Sequence, residues 1–407
     1  MGKNRTLMMY DITIIGAGIV GLATAYTILK EKPGTKLLLI EKESEVAKHQ
    51  TGNNSGVIHS GIYYNPGSLK AINCKRGYDL LLNFCDENNI NYQICGKVIV
   101  AVSESELVQL EKIYQRGLEN GLKGLTFLTK DELKEKEPHV NGIKGVFVPQ
   151  TGIIDFLEVS VKLSERILEL GGEIKFNSEV KNIQQDNNRI SVICDHFEID
   201  TRFLITCAGL QSDRIAMLTK PDLDIRIIPF RGEYYKLKNH KKNLVNNLIY
   251  PVPDPAFPFL GVHFTRMING EVECGPNAVF SFKREGYSKY SLDIKDTFES
   301  LTWPGFQKVA AKYWKTGFGE FFRSFNKDAF VKALQRLIPE IQKDDMIQGG
   351  AGVRAQACNK TGGLVDDFYF VEQKNIIHVC NAPSPAATSS LSIGKYVAEK
   401  YYSQVVN

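Results

Sequence analysis

The chain has 407 residues, of which 43% are hydrophobic and 24% are charged, and its formal net charge is only +4. These values are typical of a globular protein with a large core; they exclude a disordered chain and give no support for nucleic-acid binding. The eight cysteines and seven histidines show neither disulfide nor metal-ligand spacing, so we expect reduced thiols, no metal site and a cytoplasmic location. No apolar run approaches the ~18–20 residues that cross a bilayer, and no signal peptide is expected.

The first element of the chain is predicted to bind a dinucleotide. The β-branched run Ile12–Ile15 is typical of a buried parallel strand, and Gly16, Gly18 and Gly21 follow it at the G-x-G-x-x-G spacing. Leu22–Glu31 then predicts a helix. The three glycines serve, in order, the tight turn, the close approach of the backbone to a pyrophosphate, and the close packing of the helix. The helix N terminus offers free N–H groups to the phosphates.

Glu41 follows the second predicted strand, Lys36–Ile40, and together with the next residue, Lys42, is predicted to contact the cofactor. It lies about 20 residues beyond the last glycine, the distance at which an acid takes the ribose hydroxyls. The next segment, residues 49–61, is too rich in Gly, Asn and Ser for a helix interior. We therefore expect a loop beside the dinucleotide, with further cofactor contacts from Thr51, Asn54, Ser55 and Gly56.

Two sheets and several helices are predicted along the rest of the chain. The predicted helices are 69–88, 104–120, 130–137, 156–170 (after a turn at 152–155), most of 301–337, and 389–401. Short strands at 174–176, 179–184, 190–194, 203–207, 368–371 and 376–379 return to the nucleotide sheet. Strands at 96–102, 145–148, 225–237 and 248–251 and a hairpin, 261–267 with 271–275, suggest a second, antiparallel sheet. A further strand is predicted at 347–353. Prolines 251, 253, 255 and 258 mark a loop.

The predicted fold is α/β: a doubly wound, Rossmann-like dinucleotide-binding domain interleaved with an antiparallel-sheet substrate domain of α+β type. The cofactor domain is predicted to contain residues 1–90, 150–222 and 345–407. The substrate domain is predicted to contain residues 91–149 and 223–344. Neither domain is continuous because three separate parts of the chain contribute strands to the nucleotide sheet.

Three features favour FAD over NAD as the dinucleotide. The glycine fingerprint lies at the N terminus, and small residues, Ala208 and Gly209, follow a later strand of the same sheet. A C-terminal strand–loop–helix can aim a second helix N terminus at the isoalloxazine. Its small residues are predicted cofactor contacts, together with one residue of the strand 179–184: Pro385, Ala386, Ala387, Thr388 and Val180.

Five separate segments carry a more specific resemblance. They are residues 54–64 (NSGVIHSGIYY), 250–255 (YPVPDP), 275–278 (GPNA), 352–355 (GVRA) and 381–388 (NAPSPAAT). In this order they resemble the L-2-hydroxyglutarate dehydrogenases/oxidases, within the D-amino-acid-oxidase-type FAD-dependent oxidoreductases, and the resemblance spans the whole chain. It implies FAD, a β-sheet substrate domain over the flavin face, and oxidation of L-2-hydroxyglutarate to 2-oxoglutarate.

Oxidation of a 2-hydroxy acid moves a hydride from C2 to flavin N5 and a proton from the hydroxyl to a base. Histidine suits the base because it titrates near working pH. His59 is the first candidate, since related flavoenzymes resemble this loop and the resemblance implies a histidine that faces the flavin. The alternatives are a structural role for His59 and a catalytic role for His263.

A dicarboxylate substrate calls for fixed positive charge, and the planar guanidinium pairs with a carboxylate through two hydrogen bonds. Arg354 is the first candidate; Arg231 and Arg266 follow. For Arg284 an ion pair within the protein is the expected role. Tyr64, Tyr250 and Asn277 complete the predicted substrate contacts, although tyrosine on a sheet is more often a core residue.

The helical region 301–337 is rich in both aromatic and basic residues, and two interpretations stay open. It is either an amphipathic surface that lies on an anionic bilayer and passes electrons to quinone, or a lid over the substrate domain. We thus expect quinone or oxygen as acceptor and possible peripheral contact with the inner face of the cell membrane. The alternative functions are a glycerol-3-phosphate oxidase or dehydrogenase and a flavin-binding redox sensor.

Overall fold

A computed structural model describes residues 4–186, 189–255 and 260–405, with side chains from Met9 onward. Pro258 and the predicted domain ends at 1–3 and 406–407 lie outside the described residues. The α-helices of the described chain are α1 Ile19–Glu31, α2 Leu69–Asn88, α3 Leu107–Glu119, α4 Lys130–Lys136, α5 Phe156–Glu169, α6 Ser212–Met217, α7 Ile294–Thr302, α8 Pro304–Phe325, α9 Lys327–Leu334 and α10 Ser390–Val405.

The strands are short in the first half of the chain and longer in the second. They are β1 Asn4–Ile15, β2 Leu37–Ile40, β3 Val57–Ile58, β4 Tyr92–Gln93, β5 Lys97–Ala101, β6 Thr126–Thr129, β7 Lys144–Val148, β8 Gly152–Ile154, β9 Glu173–Lys175, β10 Val180–Gln185, β11 Ile190–Cys194, β12 Phe197–Thr206, β13 Ile225–Leu237, β14 Leu248–Pro251, β15 His263–Arg266, β16 Val272–Gly275, β17 Val279–Phe280, β18 Met346–Asn359, β19 Tyr369–Gln373 and β20 Ile376–Asn381.

The first sheet has eight strands and carries the glycine-rich turn. β1 lies between β2 and β12 and is parallel to both, and β9 continues the parallel set beyond β2. β12 is a branch point: it pairs antiparallel with β11 through residues 198–201 and in parallel with β20 through residues 204–206. Apolar clusters cover both faces of β1 and β2, which explains why these strands are almost continuously apolar.

The second sheet has nine strands, in the order β17-β13-β16-β15-β14-β5-β7-β6, with β18 paired to β13. All of its pairs are antiparallel except β14 with β5. β13 and β18 form the longest strand pair of this sheet, from Ile225 opposite Asn359 to Leu237 opposite Met346. Helix α9 packs on this sheet in one apolar cluster that includes residues of strands β5, β14 and β15.

The α/β fold class, with two sheets interleaved along the chain, is confirmed. Two details differ from expectation. Helix α1 begins at Ile19 and not at Leu22, because Gly18 is its N-cap and Gly21 is helical. The segment 152–154 is not a turn: it is β8, the central strand of a small sheet between β3 and β4. β18 lies inside 345–407 yet pairs in the second sheet; the domain boundaries themselves stay a prediction.

The region 301–337 is helical, as predicted. Helix α8 bends at Tyr313, whose backbone angles are not helical. Its first turns pack on the second sheet through Phe306 and Val309, which share a cluster with Ile228 and Cys358. Within the described residues, no helix is long and apolar enough to cross a bilayer.

Candidate active site

A cavity of about 1650 Å³ is lined by residues of both large sheets. Pockets for drug-sized ligands measure about 300–1,000 Å³, so this one has room for a dinucleotide together with a small substrate. At one end it is lined by the glycine-rich turn after β1. At the other it is lined by side chains of β14, β15 and β18.

The glycine-rich turn forms the floor of the dinucleotide end. Gly16 has φ +104°, and a Cβ there would lie 2.4 Å from the carbonyl oxygen of Cys207. Gly18 caps α1 and faces the cavity, with Thr51 Oγ1 as the nearest neighbour of an added Cβ at 3.5 Å. Thr51 Oγ1 also accepts a hydrogen bond from Ile19 N–H at 3.1 Å. The turn thus leaves open space in front of the helix N terminus, where a pyrophosphate is stabilised.

Gly21 does not line the cavity, and its role is packing. A Cβ at Gly21 would lie 2.0 Å from the carbonyl oxygen of Gly16. Only glycine lets α1 sit this close to the turn after β1. The third glycine therefore fixes the direction in which the helix N terminus points into the cavity.

Glu41 lines the same end of the cavity, at the end of β2. Its carboxylate is buried and accepts hydrogen bonds from Ala17 N–H (2.7 Å) and Glu43 N–H (3.0 Å). These contacts hold the carboxylate beside the glycine turn, where the ribose of a dinucleotide lies. Lys42 also lines the cavity, and its ammonium pairs with Glu285 at 2.6 Å.

The polar loop after β2 is shaped by Asn54. Its amide nitrogen donates to the carbonyl oxygen of Thr51, and its Oδ1 accepts from Gly56 N–H at 2.7 Å. Asn54 and Ser55 line the cavity. Gly56 does not: it has φ +64°, and its Cα faces the carbonyl oxygen of Ile154 so closely that a Cβ would lie 2.5 Å away.

Three further predicted cofactor segments meet at the cavity. Val180 lines it at the start of β10, and Ala208 and Gly209 line it just after β12. The C-terminal segment Pro385–Ala387 lines it ahead of α10. Thr388 lies behind this segment, fully buried, and its hydroxyl accepts a hydrogen bond from His59 N–H.

The wall at the other end of the cavity carries both histidines predicted as the base. His59 lines the cavity, and its Nε2 lies 3.4 Å from Ser384 Oγ. His263, on β15, is buried, and its ring lies 3.9 Å from that of Tyr250 on the neighbouring strand β14. His263 Nδ1 donates to the carbonyl oxygen of Gly261 at 2.9 Å, which leaves Nε2 as an acceptor.

Both imidazoles are held neutral. Burial and the nearby charge of Lys97 are the main causes that lower the pKa of His59 to about 3. Burial lowers the pKa of His263 to about 3 as well, although its hydrogen bond to Gly261 acts in the opposite direction. A neutral imidazole can accept a proton, so either residue is chemically able to serve as a base.

Arg354 is the predicted cation that reaches the cavity. It projects from β18, lines the cavity, and lies close enough to lower the pKa of His59 and His263. Tyr64 and Tyr250 line the same wall, and burial raises the pKa of both phenols, which therefore stay protonated donors. This wall combines the guanidinium of Arg354 with neutral imidazoles and phenol donors, a set that suits an anionic, hydroxyl-bearing ligand.

Arg231 and Asn277 do not line the cavity, contrary to expectation. The guanidinium of Arg231 is buried and pairs with Glu233 at 2.9 Å, because the two side chains share one face of β13. Asn277 joins the same network, with Oδ1 accepting from Glu233 N–H at 2.8 Å. These residues stabilise the second sheet and are not available to a ligand.

Two other arginines also lie elsewhere. Arg266 does not line the cavity; it donates to Gln93 Oε1 at 2.8 Å. Arg284 is 1% exposed and forms a buried pair with Asp213, in line with the ion pair expected for it.

Several residues that line the cavity were not singled out in the sequence. Tyr63 and Tyr234 extend the aromatic wall. Arg116 brings further positive charge, whereas the ammonium of Lys70 pairs at 2.8 Å with Asp366, which lines the same cavity. Tyr63 directly precedes a predicted contact, Tyr64, and this adjacency was the available signal. Lys70 and Arg116 lie on helices α2 and α3, and nothing in their local sequence distinguishes them from surface charges.

The cavity fits FAD. The open space before Gly18, the helix N terminus behind it and the buried carboxylate of Glu41 provide a cradle for an adenosine diphosphate unit. The small residues Pro385–Ala387 leave room near His59 for a planar ring.

Comparisons with known proteins agree with this geometry. Residues 11–400 match the DAO family, described as FAD dependent oxidoreductase. The chain is 57% identical, over 96% of its length and 98% of the relative, to an L-2-hydroxyglutarate dehydrogenase of Indibacter alkaliphilus. It is 44% identical, over 96% of its length and 93% of the relative, to that of Escherichia coli K12.

Among solved structures, L-alpha-glycerophosphate oxidase from Mycoplasma pneumoniae with FAD bound superposes with a TM-score of 0.80. At 24% identity, over 97% of this chain and 95% of that one, this similarity concerns the fold alone. The sequence relatives are far closer and cover nearly all of the chain. The chain therefore belongs to the DAO-type FAD dependent oxidoreductases and, within them, to the family of the L-2-hydroxyglutarate dehydrogenases.

Proposed function

We propose that the protein oxidises L-2-hydroxyglutarate to 2-oxoglutarate with FAD as cofactor. The observation that carries this proposal is the 57% identity, along nearly the whole chain, to a protein named for that activity. The cavity supports it independently, because it combines a dinucleotide cradle with a wall that carries a guanidinium and neutral imidazoles.

In this proposal the glycine turn and the N terminus of α1 hold the pyrophosphate, and Glu41 holds the ribose of the adenosine. Thr51, Asn54, Ser55, Val180, Ala208 and Gly209 line the cavity along the same nucleotide, and Lys42 borders it. Pro385–Ala387 lie beside the flavin ring. FAD supplies the acceptor for the hydride that leaves C2 of the substrate.

The protein's own residues bind the substrate and take its proton. Arg354 pairs with a substrate carboxylate, and Tyr64 and Tyr250 donate hydrogen bonds to the bound anion. His59 accepts the proton of the C2 hydroxyl at Nε2, and His263 is the alternative base. The negative charge of the bound dicarboxylate raises the pKa of His59 from about 3, which makes it a stronger base once the substrate is present.

We propose further that α8 contacts an anionic bilayer from the inner face of the cell membrane and that electrons pass to a quinone there. One stripe of α8 exposes large aromatic side chains: Trp314 (63%), Phe318 (73%), Phe322 (55%) and Phe325 (64%). Exposed lysines, 308, 312 and 315, lie on the same helix. Aromatic and basic side chains together favour an interface with anionic lipid over a lid that packs on protein.

Co-sedimentation with vesicles tests this contact. We expect the wild type to bind vesicles containing phosphatidylglycerol and to bind phosphatidylcholine vesicles poorly. Trp314→Ser with Phe318→Ser should abolish binding, whereas Val108→Ser, which removes a comparably exposed apolar side chain from α3, should not. Unchanged binding of the double variant would contradict a bilayer contact through α8. It would favour the interpretation of this region as a lid, with oxygen as the expected electron acceptor.

Anaerobic flavin reduction tests the reaction. The holoenzyme is mixed with L-2-hydroxyglutarate, with its D enantiomer and with glycerol 3-phosphate, and flavin bleaching is followed. We expect rapid bleaching by L-2-hydroxyglutarate alone. Bleaching only by glycerol 3-phosphate would replace the proposal with a glycerol-3-phosphate oxidase or dehydrogenase, and no bleaching by any alcohol would indicate a flavin-binding sensor.

A further inference from the structure

Lys97, the first residue of β5, is one of the two largest fully buried side chains of the described chain, with 1% exposure. The other is Arg284, which is neutralised by its buried pair with Asp213. Lys97 has no such partner: within the described residues its ammonium forms no ion pair with a carboxylate. An unpaired buried cation is costly, so its position calls for an explanation.

The ammonium of Lys97 lies between two aromatic rings of the cavity wall. Its Nζ is 4.5 Å from the ring centroid of Tyr63 and 4.8 Å from that of Tyr250. Both rings line the cavity, and the centroid of the His263 ring lies 3.9 Å from that of Tyr250. Lys97 itself does not line the cavity and lies behind the wall.

The charge of Lys97 is nevertheless felt inside the cavity, since it contributes to the lowered pKa of both His59 and His263. Cation–π contact offsets only part of the cost of an isolated buried charge. Burial accordingly lowers the pKa of Lys97 to about 7. A negative charge that enters the cavity beside the two rings stabilises the buried charge of Lys97.

We propose that Lys97 is a positioning residue that makes the site selective for a doubly charged anion: its buried ammonium holds the Tyr63 and Tyr250 rings and attracts a dicarboxylate through the wall they form. Arg354 meets the substrate directly, and Lys97 supplies a second positive charge without contact. This inference rests on the proposed function, because it concerns the binding of the same 2-hydroxy acid.

The test compares two pairs of ligands on holoenzyme. Each dicarboxylate is matched with the monocarboxylate of equal chain length: L-2-hydroxyglutarate with L-2-hydroxypentanoate, and 2-oxoglutarate with 2-oxopentanoate. Kd for the oxo acids is read from the flavin spectrum, and KM and kcat are measured for the hydroxy acids. The variants are Lys97→Met, Lys97→Arg and the control Lys144→Met, which removes a lysine of the same sheet that lies 4.3 Å from the Phe127 ring, outside the cavity.

We expect Lys97→Met to weaken dicarboxylate binding at least tenfold and monocarboxylate binding less than threefold, with the loss in KM rather than kcat. Lys97→Arg should restore part of the preference, and Lys144→Met should leave it unchanged. Equal losses for both ligand classes, or none, would overturn the inference. If the wild type is reduced by neither hydroxy acid, the proposed function fails instead, and the Kd ratio of the two oxo acids still reports on Lys97.

Proton uptake by the wild type provides a second measurement, should Lys97→Met not retain FAD. The titratable groups that face Lys97 are Cys74, His59 and His263, the phenols of Tyr63 and Tyr250, and the fixed charge of Arg354. Of these groups and Lys97, only Lys97 has a pKa near neutrality, about 7, since the pKa values of the thiol and phenols lie far above pH 8 and those of the imidazoles far below. We expect uptake at pH 8 with 2-oxoglutarate to exceed that with 2-oxopentanoate; equal uptake would refute the inference.

Discussion

The backbone N–H of His59 donates a hydrogen bond of 3.0 Å to the hydroxyl of Thr388, 329 residues further along the chain. The same hydroxyl lies 3.4 Å from the carbonyl oxygen of Val57, towards which it donates. The loop that carries the proposed base is thus joined to the C-terminal segment that lines the same cavity. Because both contacts use one oxygen atom, a single substitution can separate the two segments.

Thr388→Val should keep the volume of the side chain and lose both hydrogen bonds. A net contribution of ~0.5–1.5 kcal/mol per bond predicts that flavin reduction slows by about threefold to tenfold for each, as His59 loses its fixed position. Thr388→Ser, which keeps the hydroxyl, should stay near the wild-type rate. Stopped-flow reduction under anaerobic conditions measures both, and a wild-type rate for Thr388→Val would contradict the role.

His59→Ala should retain FAD, because the imidazole lies at the opposite end of the cavity from the glycine turn. Reduction by L-2-hydroxyglutarate should fall at least ~100-fold, the lower limit for loss of a general base. His263→Ala is the matched variant on the same wall. If His59→Ala is reduced at a near-normal rate and His263→Ala is not, the base is His263.

Arg354→Met should raise KM for L-2-hydroxyglutarate. A hydrogen bond to a charged group is worth ~1.5–3 kcal/mol, which corresponds to about a tenfold to hundredfold change in affinity. Arg354→Lys should be intermediate, since an ammonium keeps the charge without the planar pair of donors. Arg266→Met, on a strand of the same sheet but outside the cavity, should have little effect; an equal effect would indicate loss of the sheet and not of a ligand contact.

Gly21→Ala should yield apoprotein. The added methyl would lie 2.0 Å from the carbonyl oxygen of Gly16, so α1 must move away from the cradle. Gly319→Ala is a suitable control: no atom lies within 4 Å of its added methyl, and α8 should gain ~0.5–1 kcal/mol from the replacement of a helical glycine. The measurement is the FAD content of the two purified variants, read from the visible spectrum. Full FAD occupancy in Gly21→Ala would contradict the packing argument.

Buried His263 should make the protein sensitive to acid. Its pKa is about 3 in the folded protein and 6.5 as the unperturbed reference, so the unfolded chain binds more protons between these values. Stability is therefore complete above pH 6.5 and falls as the pH drops towards 3, by ~1.4 kcal/mol per pH unit for this group.

Urea unfolding at pH 6 and pH 4, with FAD in excess, measures this slope. His263→Gln should be less stable than the wild type at pH 6 and should lose less free energy of unfolding on acidification. His240→Gln, at a side chain that is 66% exposed, should follow the wild type. A His263→Gln slope identical to that of the wild type would show that the imidazole does not resist protonation.

The dinucleotide end could be predicted from the sequence because its geometry is local. Strand, glycines, helix and acid lie within about thirty residues, and each has a conformational requirement that only a few residue types meet. Even there Gly56 and Thr388 were assigned to the ligand, whereas the structure has them supporting the loops that line the cavity. A small residue is needed wherever another group comes close, whether that group is a ligand or a neighbouring segment of backbone, so the sequence does not distinguish the two cases.

The substrate end could be predicted only in part, since it depends on contacts between distant segments. Which arginine reaches the cavity depends on the neighbours that each finds on its own sheet face. Arg231 is neutralised by Glu233, and the pair was visible in the sequence as R-G-E. Lys97 had no such signal: its place in a strand was predicted, but Tyr63 and Tyr250, which enclose it, come from elsewhere in the chain.

The branching of β12 has a consequence for synthesis of the protein on the ribosome. β20 pairs in parallel with β12, and α10 packs on α1 so closely that a Cβ at Gly394 would lie 2.7 Å from the backbone of Ala23. Both are synthesised after α1 and after the other strands of the first sheet. A nascent chain that ends before β20 exposes the apolar face of α1 and lacks one wall of the cavity. We therefore expect the flavin to be retained only once β20 and α10 are in place, and a chain truncated before β20 to purify as colourless protein even though every glycine of the fingerprint is intact.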